Sequence, residues 1–364
     1  MKNASKKLIV FIPSIEDGGV EKNLFLILNY LSLKLKNIIL ITFDNKSKKK
    51  IRKNINIINP FFNFSFIKGR YSKYIFCLIV LAKILLFNRN YTVLSFQANI
   101  FVIILSKFFG ISVISRSNSS STGWSKNPFK QMIFSHYFKL TDEIIVNSFK
   151  FKKEMDERYN INCKCILNPF DFKKISKKSK FKVKKIYNKK SIKLISIGRL
   201  TTQKDFLTIL KAMKILKNKN IELAILGKGE EEKNLQKFID QNNLKNKVKL
   251  LGYKQNPFPY IKQADIFLLS SIFEGSPNVL VEALYLKKYI ISTNCPTGPA
   301  EILNKGKYGQ LVKIGDFKSI AKAIIKYKKN KYYKKKIIKG HKSLSIFSYK
   351  KNTIKYLNLI NEYL

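Results

Sequence analysis

The stretch Ser270-Ser271-Ile272-Phe273-Glu274-Gly275-Ser276-Pro277-Asn278-Val279-Leu280-Val281-Glu282-Ala283-Leu284 sits directly behind an apolar run, Ala264–Leu269, that reads as a buried strand of a parallel sheet. Gly275, Ser276 and Pro277 end the strand and start a helix, with Ser276 as N-cap and Pro277 at the first helical position. The backbone N–H groups of Asn278 and Val279 would then point out of the carboxyl edge of the sheet, an anion site to which the helix dipole adds. Glu274 and Glu282 bracket it. A phosphate cradle between two hydroxyl-binding carboxylates suits a nucleotide-sugar. An ordinary strand–turn–helix with two solvated glutamates fits the same spacing.

The segments on either side repeat this alternation. Upstream, strands are predicted at Ile192–Gly198, Glu222–Gly227 and Val248–Leu251, with helices near Phe206–Lys217 and Glu231–Asn242; downstream, a strand falls at Tyr289–Ser292. The first half keeps the same rhythm, with strands at Leu8–Pro13, Ile38–Phe43, Thr92–Phe96, Val113–Ser117 and Glu143–Asn147. Helices cover about Lys22–Leu33 and Ile100–Phe109. Such alternation specifies an α/β protein of doubly wound parallel sheets, and two series divide the chain into residues 1–172 and 191–346. Between them, residues 173–190 hold ten lysines and no acid, the composition of an interdomain linker. Tyr74–Phe87 is apolar, carries Lys83 and is too short to span a bilayer. It reads either as a buried helix or as a monotopic patch flanked by Lys68, Arg70, Lys73 and Arg89.

With 364 residues, 45% of them hydrophobic and 13% aromatic, the chain has material for two globular cores. Cys77, Cys163, Cys165 and Cys295 form no disulfide-like framework, and His136 and His341 lie far from Cys163-x-Cys165. A metal site is not expected, and the chain reads as cytosolic. Met1–Lys7 is basic, but Leu8–Ile12 is too short for a signal-peptide core. The formal charge of +49 comes almost wholly from lysine, the arginines being Arg52, Arg70, Arg89, Arg116, Arg158 and Arg199. Base and phosphate recognition favours the bidentate arginine fork, so nucleic acid is not the expected partner. Such a surface is mostly solvated and is drawn to anionic lipid headgroups and diphosphates.

Glu274 and Glu282, with Gly275, Pro277, Asn278 and the apolar positions between them, resemble the E-x7-E signature of the retaining family 4 glycosyltransferases of the GT-B fold. The variant is S-x-x-E-G-x-P-N-V-L-x-E-A, that of bacterial envelope sugar transferases. The resemblance implies two Rossmann-like domains facing a cleft, the first for acceptor and the second for nucleotide-sugar. It also implies a C-terminal helix, residues 347–364, crossing back to the first domain.

By the same resemblance, Glu274 holds donor-sugar hydroxyls near the anomeric carbon and Glu282 holds the ribose. The turn residues Gly275, Ser276, Asn278, Val279 and Leu280 line the donor. Ile197-Gly198-Arg199-Leu200-Thr201-Thr202-Gln203-Lys204-Asp205 resembles the family's G-R-L-x-x-x-K segment, which makes Arg199 and Lys204 the leaving-group cations, catalytic together with Glu274. Gly227 in Leu226-Gly227-Lys228-Gly229-Glu230, and Tyr253 after Gly252, resemble loops around the base; ordinary β-α turns fit them equally. Thr297-Gly298-Pro299-Ala300-Glu301 resembles a turn beside the diphosphate. Gly18-Gly19-Val20-Glu21 resembles the G-G-x-E loop, in which glycine lets backbone approach the donor and Glu21 lies on the acceptor side. Many relatives carry a first-domain histidine, and neither His136 nor His341 follows a suitable strand. Here the loop reads Ser115-Arg116-Ser117-Asn118, resembling an S-x-x-N variant, with Arg116 and Asn118 as acceptor-side or donor contacts.

The implied activity is retaining transfer from a nucleotide diphosphate sugar, expected to be a UDP-sugar, to a hydroxyl of a lipid-linked or cell-surface glycan. No Asp-x-Asp occurs, so no metal and no other cofactor are expected. Implied partners are the donor, the glycan or lipid-linked acceptor and an anionic membrane surface, with the chain peripheral on the inner face of the cell membrane. The alternatives are another GT-B activity, such as a nucleotide-sugar epimerase or a phosphorylase-like enzyme, and a basic nucleic-acid-binding protein.

Overall fold

Two all-parallel sheets organise the chain in a computed structural model that describes residues 7–16, 18–44, 49–60, 69–118, 127–327 and 331–364. The basic residues before Lys7, and Lys68, lie outside that description. The chain splits into two units, Met1–Phe170 with Phe347–Leu364, and Asp171–Ile346.

In the first unit the elements run β1 (Lys7–Phe11), α1 (Gly19–Leu31), β2 (Ile38–Ile41), β3 (Ile55–Ile58), α2 (Arg70–Phe87), β4 (Tyr91–Ser95) and α3 (Asn99–Phe108). They continue as β5 (Ser112–Ser117), α4 (Pro128–Lys139), β6 (Glu143–Val146), α5 (Phe149–Tyr159) and β7 (Lys164–Cys165). The sheet order is β3-β2-β1-β4-β5-β6-β7, so the winding reverses between β1 and β4. Leu8, Ile9, Val10 and Phe11 are all buried because helices cover both faces. One face packs on α1 and the C-terminal helix Tyr349–Asn361, joining Leu24, Ile27, Leu28 and Leu31 to Tyr356 and Ile360. The other face packs on Cys77, Leu81 and Leu85 of α2, Val102 and Ile103 of α3, and Phe138 of α4. Tyr74–Phe87 is thus part of a helix that buries one stripe against the sheet.

The second unit runs α6 (Phe172–Ser179), β8 (Ile192–Ile197), α7 (Phe206–Ile215), β9 (Ile221–Leu226), α8 (Glu232–Gln241), β10 (Val248–Leu250) and α9 (Phe258–Gln263). It closes with β11 (Ile266–Leu269), α10 (Asn278–Tyr285), β12 (Tyr289–Thr293), α11 (Pro299–Ile302), β13 (Gln310–Val312), α12 (Phe317–Lys326) and α13 (Lys331–Lys342). The order β10-β9-β8-β11-β12-β13 puts the reversal between β8 and β11.

Residues 173–190 are not a linker, as the sequence reading had them. Asp171 caps α6 by accepting from Lys174 N at 2.9 Å, and Ile175 and Ser179 of that helix are buried. Asn256 Nδ2 donates to Lys178 O at 3.0 Å, and Tyr187 Oη donates to Leu194 O at 2.7 Å. Lys173, Lys174, Lys177 and Lys178 surround a helical apolar stripe that is short, which hides it in composition.

Candidate active site

In an open α/β sheet, loops at the carboxyl ends of the two strands flanking the reversal diverge and leave a crevice. In the second unit those loops are the one after β8, carrying Gly198, Arg199 and Lys204, and the one after β11, carrying Glu274. Backbone and side chains stitch them together. Ile272 N donates to Gln203 O at 2.9 Å, Gln203 Nε2 donates to Phe273 O at 2.8 Å, and Ser270 Oγ donates to Lys204 O at 2.8 Å. The ammonium of Lys204 donates to Glu274 Oε1, and the same oxygen accepts from Ser271 Oγ at 2.6 Å. The Lys204 side chain keeps 17% of its surface exposed and that of Glu274 8%. Arg199 is exposed on the same loop, beside buried Leu200. The crevice therefore brings the Lys204 cation onto the Glu274 carboxylate, with Arg199 carried on the Lys204 loop.

The turn after Glu274 differs from the expected cap. Pro277, in extended backbone (φ −69°, ψ 106°), is the N-cap, and α10 begins one residue later, at Asn278. Ser276 consequently lies one position before the N-cap; the proline ring fixes φ but leaves ψ free to stay extended. Asn278 and Val279 occupy the first two helical positions, which the helix's own hydrogen-bond ladder does not reach. The Leu280 amide closes a tight turn onto Pro277 O at 3.0 Å. One turn on, Glu282 is buried at 3% exposure.

Glycines press the neighbouring loops against this turn. Gly298, after β12, has φ +83°, and a Cβ there would lie 2.4 Å from Gly275 O. The Thr297 hydroxyl donates to Glu274 O. A Cβ on Gly227 would lie 1.8 Å from Gly198 O, so the loops after β8 and β9 meet backbone to backbone. Leu200 N donates to Lys228 O at 3.0 Å, and Gly227 N donates to Gly252 O at 3.0 Å, which joins the loop after β10. There the exposed Tyr253 ring lies under the Lys228 ammonium, 5.7 Å from its centroid. Burial pushes the Cys295 thiol up to about 12, so it stays protonated beside this site.

Gly18, Gly19, Glu21, Arg116 and Asn118 belong to the first unit. Gly18 caps α1 in the loop leaving β1, at that unit's own reversal, and the carboxylate of buried Glu21 turns back toward it. Ser14 N donates to Gln97 Oε1 at 3.0 Å, while Gln97 Nε2 returns a bond to Ser14 O at 2.9 Å, tying the loops after β1 and β4. Arg116 does not reach a ligand face. It is fully buried; Nε donates to Tyr356 Oη at 2.7 Å, Nη2 to Asn168 Oδ1 at 2.7 Å, and Nη1 to Asn118 Oδ1. Burial pushes the Tyr356 hydroxyl up despite the cation beside it, so it remains neutral. The expected acceptor contact of Arg116 is corrected to an internal one, holding the C-terminal helix to β5.

Sequence reasoning did not single out Gln203, Ser271 or Gln97 as the stitches of these crevices. Gln203 and Gln97 act through bonds to residues 70 and 83 positions away, for which no local pattern exists, whereas Ser271 acts on Glu274 within its own loop.

The geometry at the second reversal coincides with the span of a known family. Residues 177–343 match the family described as Glycosyl transferases group 1. An uncharacterized glycosyltransferase of Methanocaldococcus jannaschii is 35% identical over 245 residues, 58% of this chain and 59% of that protein's length. The N-acetylgalactosamine-N,N'-diacetylbacillosaminyl-diphospho-undecaprenol 4-alpha-N-acetylgalactosaminyltransferase of Campylobacter jejuni is 26% identical over 97% of this chain and 99% of its own. Among solved structures, Anabaena HepE in complex with UDP and glucose superposes with a TM-score of 0.78 at 16% identity, covering 98% of this chain and 99% of that one. The fold is GT-B.

Proposed function

We propose that this chain is a retaining, metal-independent glycosyltransferase that moves a sugar from a UDP-sugar to a hydroxyl of a lipid-linked or cell-surface glycan. The reading places it in polysaccharide assembly, peripheral on the inner face of the cell membrane. The observation that carries it is the meeting of Lys204 and Glu274 at the β8–β11 reversal, beside Arg199 and the start of α10.

In the proposed step the bond between the anomeric carbon and the diphosphate oxygen breaks while the acceptor oxygen bonds to that carbon from the same face. The acceptor proton passes to the departing phosphate oxygen, which balances the charge. Negative charge grows on the leaving diphosphate, and fixed cations and amides aimed at it lower the barrier. Arg199, Lys204 and the first-turn amides of Asn278 and Val279 serve that purpose. Lys204 and Glu274 hold each other; a diphosphate draws the ammonium and releases the carboxylate to sugar hydroxyls. Glu282 anchors the ribose, with Gly198, Gly227, Tyr253, Gly275, Ser276 and Leu280 around the nucleotide. In the same reading Gly18, Gly19, Glu21 and Asn118 are the first unit's own substrate contacts.

Three facts support the finer parts. The Anabaena structure holds UDP and glucose. The Campylobacter relative is named for forming an α linkage on a diphospho-undecaprenol glycan, the product retention gives from an α-linked donor. The chain has no Asp-x-Asp, and cations stand where a metal would otherwise offset the diphosphate. The test is transfer from a panel of UDP-sugars to diphospho-undecaprenol glycans in excess chelator, with the new anomeric centre read by NMR. α product in chelator supports the reading; an inverted product, dependence on added metal, or donor epimerised without transfer contradicts it.

A further inference from the structure

Helix α2 carries two apolar stripes where a surface helix needs one. Cys77, Leu81 and Leu85 are fully buried against the sheet, while Tyr71, Ile75, Ile79, Leu86 and Phe87 point outward with 56–79% of their surface exposed. Helix α3 packs alongside and continues the outer stripe with Phe101, Ile104 and Phe108, the last 81% exposed. Between the two helices runs an open groove of about 420 Å³, lined among others by Ile79, Ala82, Phe101 and Ile104. Helix α4, which also packs on α3, carries Phe129 and Met132, each at least 60% exposed. A contiguous apolar surface of this kind marks an interaction site, since water is a poor partner for it.

Charge decides the partner. No Asp or Glu falls within α2, α3 or α4, and Lys83, Arg89, Lys130 and Lys139 stand exposed on or beside them. Lys73 and Lys107 are held by Asp44 and Asp142. A second copy of the chain is the wrong occupant, because each copy carries a formal +49 and self-association sets like charges together. Among the described residues no helix is long and apolar enough to cross a membrane, so the stripe suits lying in an interface. Apolar side chains at the acyl boundary with lysines at the phosphates are the pattern of an interfacial helix on an anionic leaflet.

We propose that the outward faces of α2, α3 and α4 seat this chain on an anionic phospholipid bilayer, with the α2–α3 groove at the acyl boundary and Lys83, Arg89, Lys130 and Lys139 on headgroup phosphates. This deepens the membrane part of the reading above and rests on it for its purpose, but its physics does not depend on turnover.

The test is co-sedimentation of the full chain with phosphatidylglycerol-containing and with pure phosphatidylcholine vesicles at about 0.15 M salt. The face variant joins Ile79→Glu to Phe108→Glu. Its charge-matched control joins Leu207→Glu to Ile215→Glu, exposed apolar positions of α7. The wild type and the control should bind anionic vesicles, and the face variant should partition at least about tenfold less. Equal binding by both doubles, or equal loss in both, overturns the proposal and leaves only diffuse lysine attraction. A dimer in sedimentation velocity that the face variant dissociates, without vesicle binding, also overturns it and assigns the face to a second copy. Should the face variant fold poorly, Phe108→Trp in a Trp124→Phe background gives an independent readout. A blue shift on adding anionic vesicles supports the seat, and an unmoved spectrum sinks it. Nucleotide titrations on the same samples separate failure of this surface from failure of the donor site.

Discussion

Lys204 and Glu274, 70 positions apart, close on each other across the β8–β11 reversal, and Ser271 fastens the carboxylate from its own loop. A half-buried pair of this kind is costly to split by deleting one side, because the remaining charge stays where water is scarce. Glu274→Ala is expected to cut turnover by about a hundredfold or more while UDP binding survives. Lys204→Ala and Arg199→Ala should lose both turnover and diphosphate affinity. Initial rates paired with nucleotide titrations check this; wild-type rates in all three variants would remove these residues from the site.

Gly227 and Gly298 are held by backbone contact. Their Cβ atoms would fall 1.8 Å from Gly198 O and 2.4 Å from Gly275 O, and no side-chain rotation relieves either clash. Gly227→Ala and Gly298→Ala should each destabilise the second unit by more than about 1 kcal/mol and weaken nucleotide binding together with stability. Gly252, whose Cβ would meet nothing within 4 Å despite φ +65°, should lose less on the same change. Chemical denaturation of the three variants ranks them.

The Arg116–Tyr356 bond spans 240 positions and is fully buried. Removing the hydroxyl in Tyr356→Phe leaves a buried guanidinium short of one acceptor, at a cost of about 1.5–3 kcal/mol. Limited proteolysis should then release the C-terminal helix faster than in the wild type, while nucleotide affinity, proposed above for the second unit, stays put. Unchanged proteolysis would deny the bond its role.

Glu222 predicts an acid limb. Burial opposes its ionisation, but hydrogen bonds from Asn188 N, Ser191 and Lys249 outweigh it and hold the carboxyl below its ordinary value. A folded value below the unfolded one adds stability above the unfolded value of about 4.3, lost as pH falls through the folded value. Glu222→Gln should therefore melt about 2–4 °C lower at neutral pH, and the gap should close as pH drops below about 4. A gap that stays constant with pH would show that packing alone sets it.

The β-α rhythm was legible wherever strands are buried on both faces, as at Leu8–Phe11 and Ile266–Leu269. It failed at three of the four sheet margins, the edge strand Val248–Leu250 being the exception. Ile55–Ile58, Lys164–Cys165 and Gln310–Val312 are edge strands, short and partly polar, with no continuous apolar run to announce them. Helix α6 was lost beneath its lysines, and the helix after Glu274 starts one residue late because Pro277 stays extended. Site carboxylates and cations stood out because each sits in a fixed local motif. Arg116 misled for the same reason. Its motif spoke of a ligand, whereas its bonds to Tyr356 and Asn168, 240 and 52 positions away, could be seen only in the fold.

The most direct test of the donor site is calorimetric titration of the purified chain with UDP, GDP, ADP and CMP, in chelator and at about 0.15 M salt. Selective binding of UDP, weakened about tenfold or more in Glu282→Ala, is the predicted result. Equal binding of every nucleotide, abolished by salt and indifferent to Glu282→Ala, would contradict it and leave the lysine surface as the only binder.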